Sequence, residues 1–444
     1  MTLALGVFLL APTFAQARPD AMPGMNLGAM CYLKQGDAEP KEFHLTDEER
    51  KSGPFKNYDP TENQNLAAKQ SIASLTKLLT SHWAVMALGP EYRFKTTVYM
   101  IRAGEVGHCN LHIKGDMDPY MGREMMTRIF TQLKPALAKK GCLFVERFSY
   151  DENFQVYLNV FKHQTDQSLS WIDPAYIFNP KSNHEGISDF IKIRSGLDGN
   201  LDNVVPVKSS DFADYLRKTP ATAWTVLSRP LHMMLRDINK FSFNYPPNVL
   251  FEKLGGREGY KKFIKARLKL DDETDLYNGS GYPMKINDEK KYNKVTCNAI
   301  VRVLNDMSLG LKNYKGTREF QLADIMATGG AGETYSTFRK LYMAGTFENT
   351  LVAKTGSADN TITFAGMLST SEGELYFAVL TAPKDGKSNA SRLNIRSLVE
   401  ILSQRYELKK FDYTQAGDML PFDTYSELVE EQIAIPRLAD YRMR

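Results

Sequence analysis

IASLTKLLTSHW, residues 72–83, sets Ser74 and Lys77 three positions apart in a run whose apolar residues fall at 75, 78, 79, 83 and 86. That spacing predicts a helix, closed by Gly89-Pro90, and residues i and i+3 share one helix face. Near a helix N-terminus, free backbone N–H groups and the dipole favour developing negative charge on the serine. A serine hydroxyl is a poor nucleophile until a base removes its proton. Lysine serves as that base only when neutral, and lowering its pKa from about 10.4 to near 7 requires roughly 4–5 kcal/mol of disfavoured charge. Burial and a second cation nearby supply such a shift. A chain of this length carries on the order of one or two S-x-x-K matches by chance, so the reading depends on what stands elsewhere.

Two other stretches supply matching parts. Lys354-Thr355-Gly356-Ser357, in LVAKTGSADN, follows apolar residues that predict a strand. There a lysine offers a cation to a carboxylate, and the glycine is expected to let a substrate backbone lie against the strand. Ser242-Phe243-Asn244 sits between two helical runs, with Pro246-Pro247 fixing the exit. A serine hydroxyl there can pass a proton, and an asparagine amide can orient a lysine and a substrate amide. A helix cap followed by a turn is the alternative for this stretch. S-x-x-K, S-x-N and K-T-G in that order form the signature of active-site serine penicillin-recognising enzymes.

On these motifs the chain resembles the low-molecular-mass class C penicillin-binding proteins, the D-alanyl-D-alanine carboxypeptidases/endopeptidases. Flanking sequence agrees. LHIKGDMDPYM is similar to that family's G-x-G-D-P loop, with Met117 where a glycine is usual, and YNGSGYP to its D-G-S-G-L-S stretch, with Asn278 for Asp. The resemblance spans nearly all of residues 60–405. It implies that Ser74 attacks the penultimate D-alanine carbonyl of a peptidoglycan stem peptide, Lys77 takes its proton, Ser242 shuttles a proton to the leaving nitrogen, and Asn244 holds Lys77 and the peptide amide. Lys354, with the hydroxyls of Thr355 and Ser357, would bind the terminal carboxylate, and the N–H groups of Ser74 and Ser357 would form the oxyanion hole. No cofactor or metal is implied. The partners implied are peptidoglycan stem peptides and cross-links, with β-lactams as covalent inhibitors. A serine β-lactamase uses the same trio, and a non-catalytic peptidoglycan-binding protein could share the fold.

The remaining sequence sets bounds. At 444 residues, 43% hydrophobic and 24% charged, the chain has globular composition and length for about two domains. A net charge of +4, without a dense Lys/Arg stripe interleaved with aromatics, does not mark a nucleic-acid binder. Leu3 to Phe14 is apolar but too short to span a bilayer, and Ala15-Gln16-Ala17 fits a small-x-small cleavage site. Residues 1–17 therefore read as a secretory signal peptide, and the mature chain as periplasmic. The four cysteines, Cys31, Cys109, Cys142 and Cys297, are expected as single buried thiols, with pairing not deducible. HCNLH, residues 108–112, lies in an alternating run and reads as an ordinary strand, not a metal site.

Residues 18–65 look loop-rich. Later runs predict two strands and an amphipathic helix, a mixed stretch over 143–215, and helices from about 225. The strands NTLVAKTGS, TITFAGMLST and GELYFAVLTA follow, then a terminal helix capped by Asn389 or Ser391 and a short helix in TYSELVEEQIA. The fold class is α/β (α+β): a penicillin-binding-protein/β-lactamase-like catalytic domain with an antiparallel sheet flanked by helices, interrupted by a shortened β-rich insert. The expected parts are the catalytic domain in 18–94 and 224–406, the insert in 95–223 and a C-terminal extension in 407–444. Being shorter than usual for the family, the insert is expected to lack one nested domain and to leave the cleft more open.

Overall fold

The computed structural model describes residues 25–52, 55–56, 58–121, 123–155, 199, 204–330, 336–341, 343, 347–383, 388–413 and 427–433. The proposed signal peptide lies outside them. The principal sheet is antiparallel throughout. Its centre is built from β8 (Leu351–Ala358), β9 (Thr361–Thr370) and β10 (Gly373–Pro383), extended on one side by the two-residue strand β7 (Ala327–Thr328). On the other side β10 pairs with β1 (Met25–Lys34), which lies in the segment read as loop.

The reason β1 escaped detection is physical. A bulge between Leu27 and Ala29 changes which face each residue meets. Leu27 and Met30 enter one core, whereas Ala29, Cys31 and Leu33 enter another. A strand buried on both faces loses the apolar–polar alternation by which strands are recognised.

The sheet is sandwiched by helices. One face packs on α1 (Thr76–Leu88), α4 (Leu231–Phe241), α5 (Tyr245–Lys253), α6 (Gly256–Leu268) and α7 (Cys297–Lys312). The other packs on α8 (Ser388–Gln404). Asn389 and Ser391, expected as caps, lie inside the first turn of α8. Helix α1 is not the one-sided helix its spacing suggested: every residue from Thr76 to Val85 is buried. It runs through the middle of the helical layer, so its polar residues must find partners inside the protein.

Five strands of a second six-stranded sheet lie between α1 and α4 in the chain. Its order is β11-β6-β2-β3-β4-β5, from β2 (Lys95–Arg102), β3 (His108–Lys114), β4 (Phe144–Tyr150), β5 (Val204–Pro206), β6 (Ala221–Leu227) and β11 (Glu427–Ile433). β3, β4 and β5 pair in parallel and the other pairs are antiparallel. Val98 and Met100 of β2 face the core under α2 (Arg123–Lys139), while Tyr99 and Ile101 pack with Phe212 of α3 (Ser209–Leu216). The period-2 alternation is thus satisfied on both faces. β11 falls in TYSELVEEQIA, so the expected short helix is a strand. Its register on β6 runs from Glu427 opposite Leu227 to Ile433 opposite Ala221. Part of the expected C-terminal extension is therefore an edge strand of the insert sheet.

The cysteines correct a second expectation. Cys31 pairs with Cys297, joining β1 to α7, and Cys109 pairs with Cys142 inside the insert core. No described cysteine is free. Pairing depends on Cα atoms brought within reach by the fold, 6.0 and 5.5 Å here, which sequence spacing cannot reveal.

The Gly115–Pro119 loop joins the two lobes. Asp116 accepts hydrogen bonds from Tyr92 Oη at 2.7 Å and from Lys253 Nζ of α5 at 2.5 Å. Met117 adopts φ +52°, the backbone conformation for which the resembled family uses glycine. Asp118 beside it is 4% exposed and accepts from the Tyr120 N–H at 2.8 Å. Burial, aided by the charge of Asp116, pushes its pKa up to about 7 against the opposing Tyr120 N–H and Lys253. A carboxyl raised in this way keeps its proton in the folded state after the unfolded chain has lost it. Stability is therefore expected to fall as pH rises from about 3.8 to about 7, and to level off above that. Asp118→Asn should remove that part of the pH dependence in denaturant titrations run across this range, while retaining the acceptor for Tyr120.

Candidate active site

The three motifs meet at one cleft. Ser74 lies in a 3-10 turn, Ala73–Leu75, that leads directly into α1. Ala73 is held at φ +45°, an uncommon conformation for a residue with a Cβ. Such strain costs about 1–3 kcal/mol and persists only where surrounding structure imposes it. One turn on, Lys77 is fully buried, and its Nζ has three neighbours: Ser74 Oγ at 2.9 Å, Asn244 Oδ1 at 2.9 Å and the Ser280 carbonyl at 2.7 Å. A neutral amine satisfies all three. It donates two N–H bonds, to Asn244 and Ser280, and its lone pair receives the Ser74 O–H. Burial first, then the charge of Lys354, holds the Lys77 pKa well below the usual lysine value.

Lys354, on β8, is also fully buried. Its Nζ donates to Ser242 Oγ at 3.0 Å and to the Thr355 carbonyl at 2.6 Å. Burial, then the charge of Lys340, lowers its pKa to about 7. Ser242 ends α4 in the left-handed conformation, φ +61°, which turns its hydroxyl toward Lys354. Asn244 stands at the N-cap of α5, yet its side chain caps nothing and reaches Lys77 instead. Pro246 and Pro247 occupy the first turn of α5, where a missing N–H costs little. The cap-and-turn alternative thus describes the backbone, while the side chains serve the cleft.

The structure places Ser74, Lys77 and Asn244 in one hydrogen-bonded group and Ser242 and Lys354 in a second, and the two lysines are coupled by charge. Ser74, Ser242, Asn244, Thr355, Gly356 and Ser357 line a cleft of about 1360 Å³. Gly356 has a reason the sequence did not suggest. A Cβ there would stand 2.1 Å from Thr363 Oγ1 and 2.8 Å from the Ile72 carbonyl, so the glycine lets β8 abut the turn that carries Ser74.

Sequence reasoning missed a supporting clasp. YNGSGYP was quoted for its likeness alone, but its backbone holds α1: the Ser280 carbonyl accepts from Lys77, and the Gly279 carbonyl accepts from Thr80 Oγ1 at 2.8 Å. Asn278 Oδ1 accepts from the Gly281 N–H at 2.7 Å, and its Nδ2 donates to the Tyr282 carbonyl at 2.7 Å, a donation an aspartate could not make. Asn293 Nδ2 then ties this turn to Thr76 Oγ1 at 3.1 Å. Asn239 Nδ2 joins α4 to α1 through Ser81 Oγ at 3.0 Å. These residues carry no short motif, and only their burial with amide bonds that bridge separate elements marks them.

The only acidic–histidine group of metal-binding shape among the described residues is Glu105, His108 and Glu146. His108 belongs to the strand quoted above and pairs with Glu146 at 2.8 Å, far from the catalytic motifs in the chain. No described residue set at the cleft suggests a metal.

Fold and site together are those of a serine hydrolase. Residues 62–184, which hold Ser74 and Lys77, match the D-Ala-D-Ala carboxypeptidase 3 (S13) family. Among solved structures, the predatory peptidoglycan endopeptidase Bd3459 of Bdellovibrio bacteriovorus superposes with a TM-score of 0.71 at 25% identity, over 92% of this chain and 100% of that one. The same endopeptidase acylated by penicillin G, in complex with the immunity protein Bd3460, gives 0.67 at 27% identity over 92% and 100%. Penicillin-binding protein 4 of Haemophilus influenzae shares the fold, with a TM-score of 0.55 at 14% identity over 87% and 97%. No curated protein sequence matches.

Gly281 offers a test of the clasp. It adopts φ +78°, and a Cβ there would lie 1.9 Å from the Ala73 carbonyl. Gly281→Ala is expected to displace the Ser74 turn and to slow acylation by labelled penicillin about tenfold or more, since an ångström of misplacement can cost about 10²-fold. Far-UV circular dichroism should stay unchanged.

Proposed function

We propose that the chain hydrolyses D-alanyl-D-amino-acid bonds of peptidoglycan through an ester on Ser74, as a DD-carboxypeptidase and DD-endopeptidase inhibited by penicillin. The observation that carries this reading is the contact of the buried Lys77 amine with Ser74 Oγ at 2.9 Å, with its N–H groups already committed elsewhere. Lys77 takes the hydroxyl proton as Ser74 Oγ attacks the penultimate D-alanine carbonyl. Ser242 passes a proton to the leaving nitrogen from its place between the cleft and Lys354. Asn244 holds Lys77 and the peptide amide. Lys354, Thr355 and Ser357 bind the carboxylate of the leaving residue. The N–H groups of Ser74 and Ser357 stabilise the oxyanion, a role worth about 10²–10³ in rate per donor. Water, deprotonated by Lys77, then releases the acyl-enzyme.

The breadth of the cleft supports action on cross-linked as well as single stems. The two disulfides support an oxidising compartment, in keeping with the apolar N-terminus read as a signal for export to the periplasm.

Labelled penicillin is expected to form one long-lived adduct, located on Ser74 by mass spectrometry and lost in Ser74→Ala. Turnover of a chromogenic cephalosporin at tens per second would instead identify a β-lactamase. Purified sacculi digested with wild type should yield fewer cross-linked dimers and free D-alanine, and Ser74→Ala should yield neither change.

The pH dependence is fixed by the two lysines. Acylation requires neutral Lys77, so kcat/KM should rise with pH through the lowered Lys77 pKa. Carboxylate binding requires charged Lys354, so kcat/KM should fall as pH passes about 7. Lys354→Arg is expected to move that alkaline limb upward, because an arginine keeps its charge. An unmoved limb would remove Lys354 from carboxylate binding.

A further inference from the structure

Past the K-T-G strand, the described residues of the cleft wall include the cations Lys340 and Arg392. Thr337 and Lys340 lie three positions apart on the 3-10 helix Thr337–Leu341, and at three residues per turn such side chains stand one above the other. That helix packs on β8 and on α8, and α8 brings Arg392 to the same wall. All three side chains line the cleft. Thr337 is 9% exposed, and its Oγ1 is buried without a hydrogen-bond partner. Arg392 donates to Ser388 Oγ at 3.3 Å and Asn389 Oδ1 at 3.0 Å on its own helix. Among the described residues Lys340 and Arg392 pair with no carboxylate. Of the described acids that line the cleft, Asp359 bonds Tyr292 and Lys290, Asp288 pairs with Lys285, and Glu252 belongs to α5, on the opposite face of the principal sheet from α8.

The cations form a series. Lys354 feels the charge of Lys340, and Lys340, though exposed by area, is lowered by surrounding protein first and then by Arg392 and Arg339. A bound anion would relieve this repulsion. Lys354 already serves the carboxylate next to the scissile bond, which leaves Lys340 and Arg392 without one.

We propose that Thr337, Lys340 and Arg392 form a second anion subsite, which takes a carboxylate of the peptide stem released from a cross-linked substrate. The inference rests on the DD-peptidase reading above and adds a source of preference within it. A single stem releases one D-alanine, whose lone carboxylate goes to Lys354. A cross-linked pair releases a whole stem that bears further carboxylates, and one of these meets the guanidinium, the ammonium and the Thr337 hydroxyl. Charge-assisted bonds of this kind are roughly twice as strong as neutral ones.

The test compares three substrates with full-length wild type: a cross-linked muropeptide dimer, the same dimer with the carboxylates of its leaving stem amidated except the one beside the scissile bond, and a single-stem pentapeptide. Amidation is expected to lower kcat/KM on the dimer about tenfold, mostly through KM. Arg392→Gln should lose the same factor on the untreated dimer and show no further loss on amidation, while D-alanine release from the pentapeptide falls by less than about threefold. Equal rates on the two dimers, a dimer not cleaved at all, or an equal loss on dimer and pentapeptide in Arg392→Gln would overturn the subsite. Should the variant fold poorly, the two dimers with wild type decide alone. Penicillin acylation and D-alanine release by wild type, measured beside these, separate the two claims. If both occur and amidation has no effect, only the subsite falls; if neither occurs, the DD-peptidase reading falls with it.

Discussion

An amine shut away from water beside a second buried lysine cannot readily hold its proton, and the site is organised around that constraint. Lys77 reaches this state because α1 is enclosed on every side. An ammonium in such a place would face a desolvation penalty of several kcal/mol. Two fixed acceptors and one hydroxyl give the neutral form a complete set of partners. The price of this chemistry is strain and burial around it: positive φ at Ala73 and Ser242, and a clasp of asparagines and glycines packed against the Ser74 turn. Each feature is costly alone and is held by the others.

The same logic extends along the cleft. Lys354 sits between Lys77 and the outer cations, so its charge connects the chemistry at Ser74 with binding at the wall beyond β8. In the proposed mechanism a carboxylate bound at Lys354 would stabilise that lysine's charge and offset part of its field at Lys77, so burial is left as the main influence that keeps Lys77 neutral.

Much of this was legible in the sequence, for identifiable reasons. Ser74, Lys77, Ser242, Asn244 and Lys354 stand in short motifs because each must approach one small group of reacting atoms. The hairpin of β9 and β10 carries clear strand patterning. What stayed hidden depends on long-range packing. β1 lost its alternation to burial on both faces, and the cysteine pairs needed the fold to bring them together. Glu427–Ile433 reads equally as a helix or a strand by local preference, and only the open edge of β6 settles it. Asn239, Asn278 and Asn293 look like ordinary turn and helix residues until their amides are seen to bridge separate elements.

The two ends of the chain have a bearing on its biosynthesis. Met25 pairs with Pro383, and the insert sheet is finished by a strand that begins at Glu427. A ribosome therefore releases nearly the entire polypeptide before either sheet can be completed, and contacts so distant in sequence form slowly. Until then β1 and β6 each lack a partner strand, and an unpaired strand edge is the kind of surface that associates with other chains. Completion of both sheets thus waits on strands made late, and the order of synthesis leaves the earlier strands exposed for most of translation.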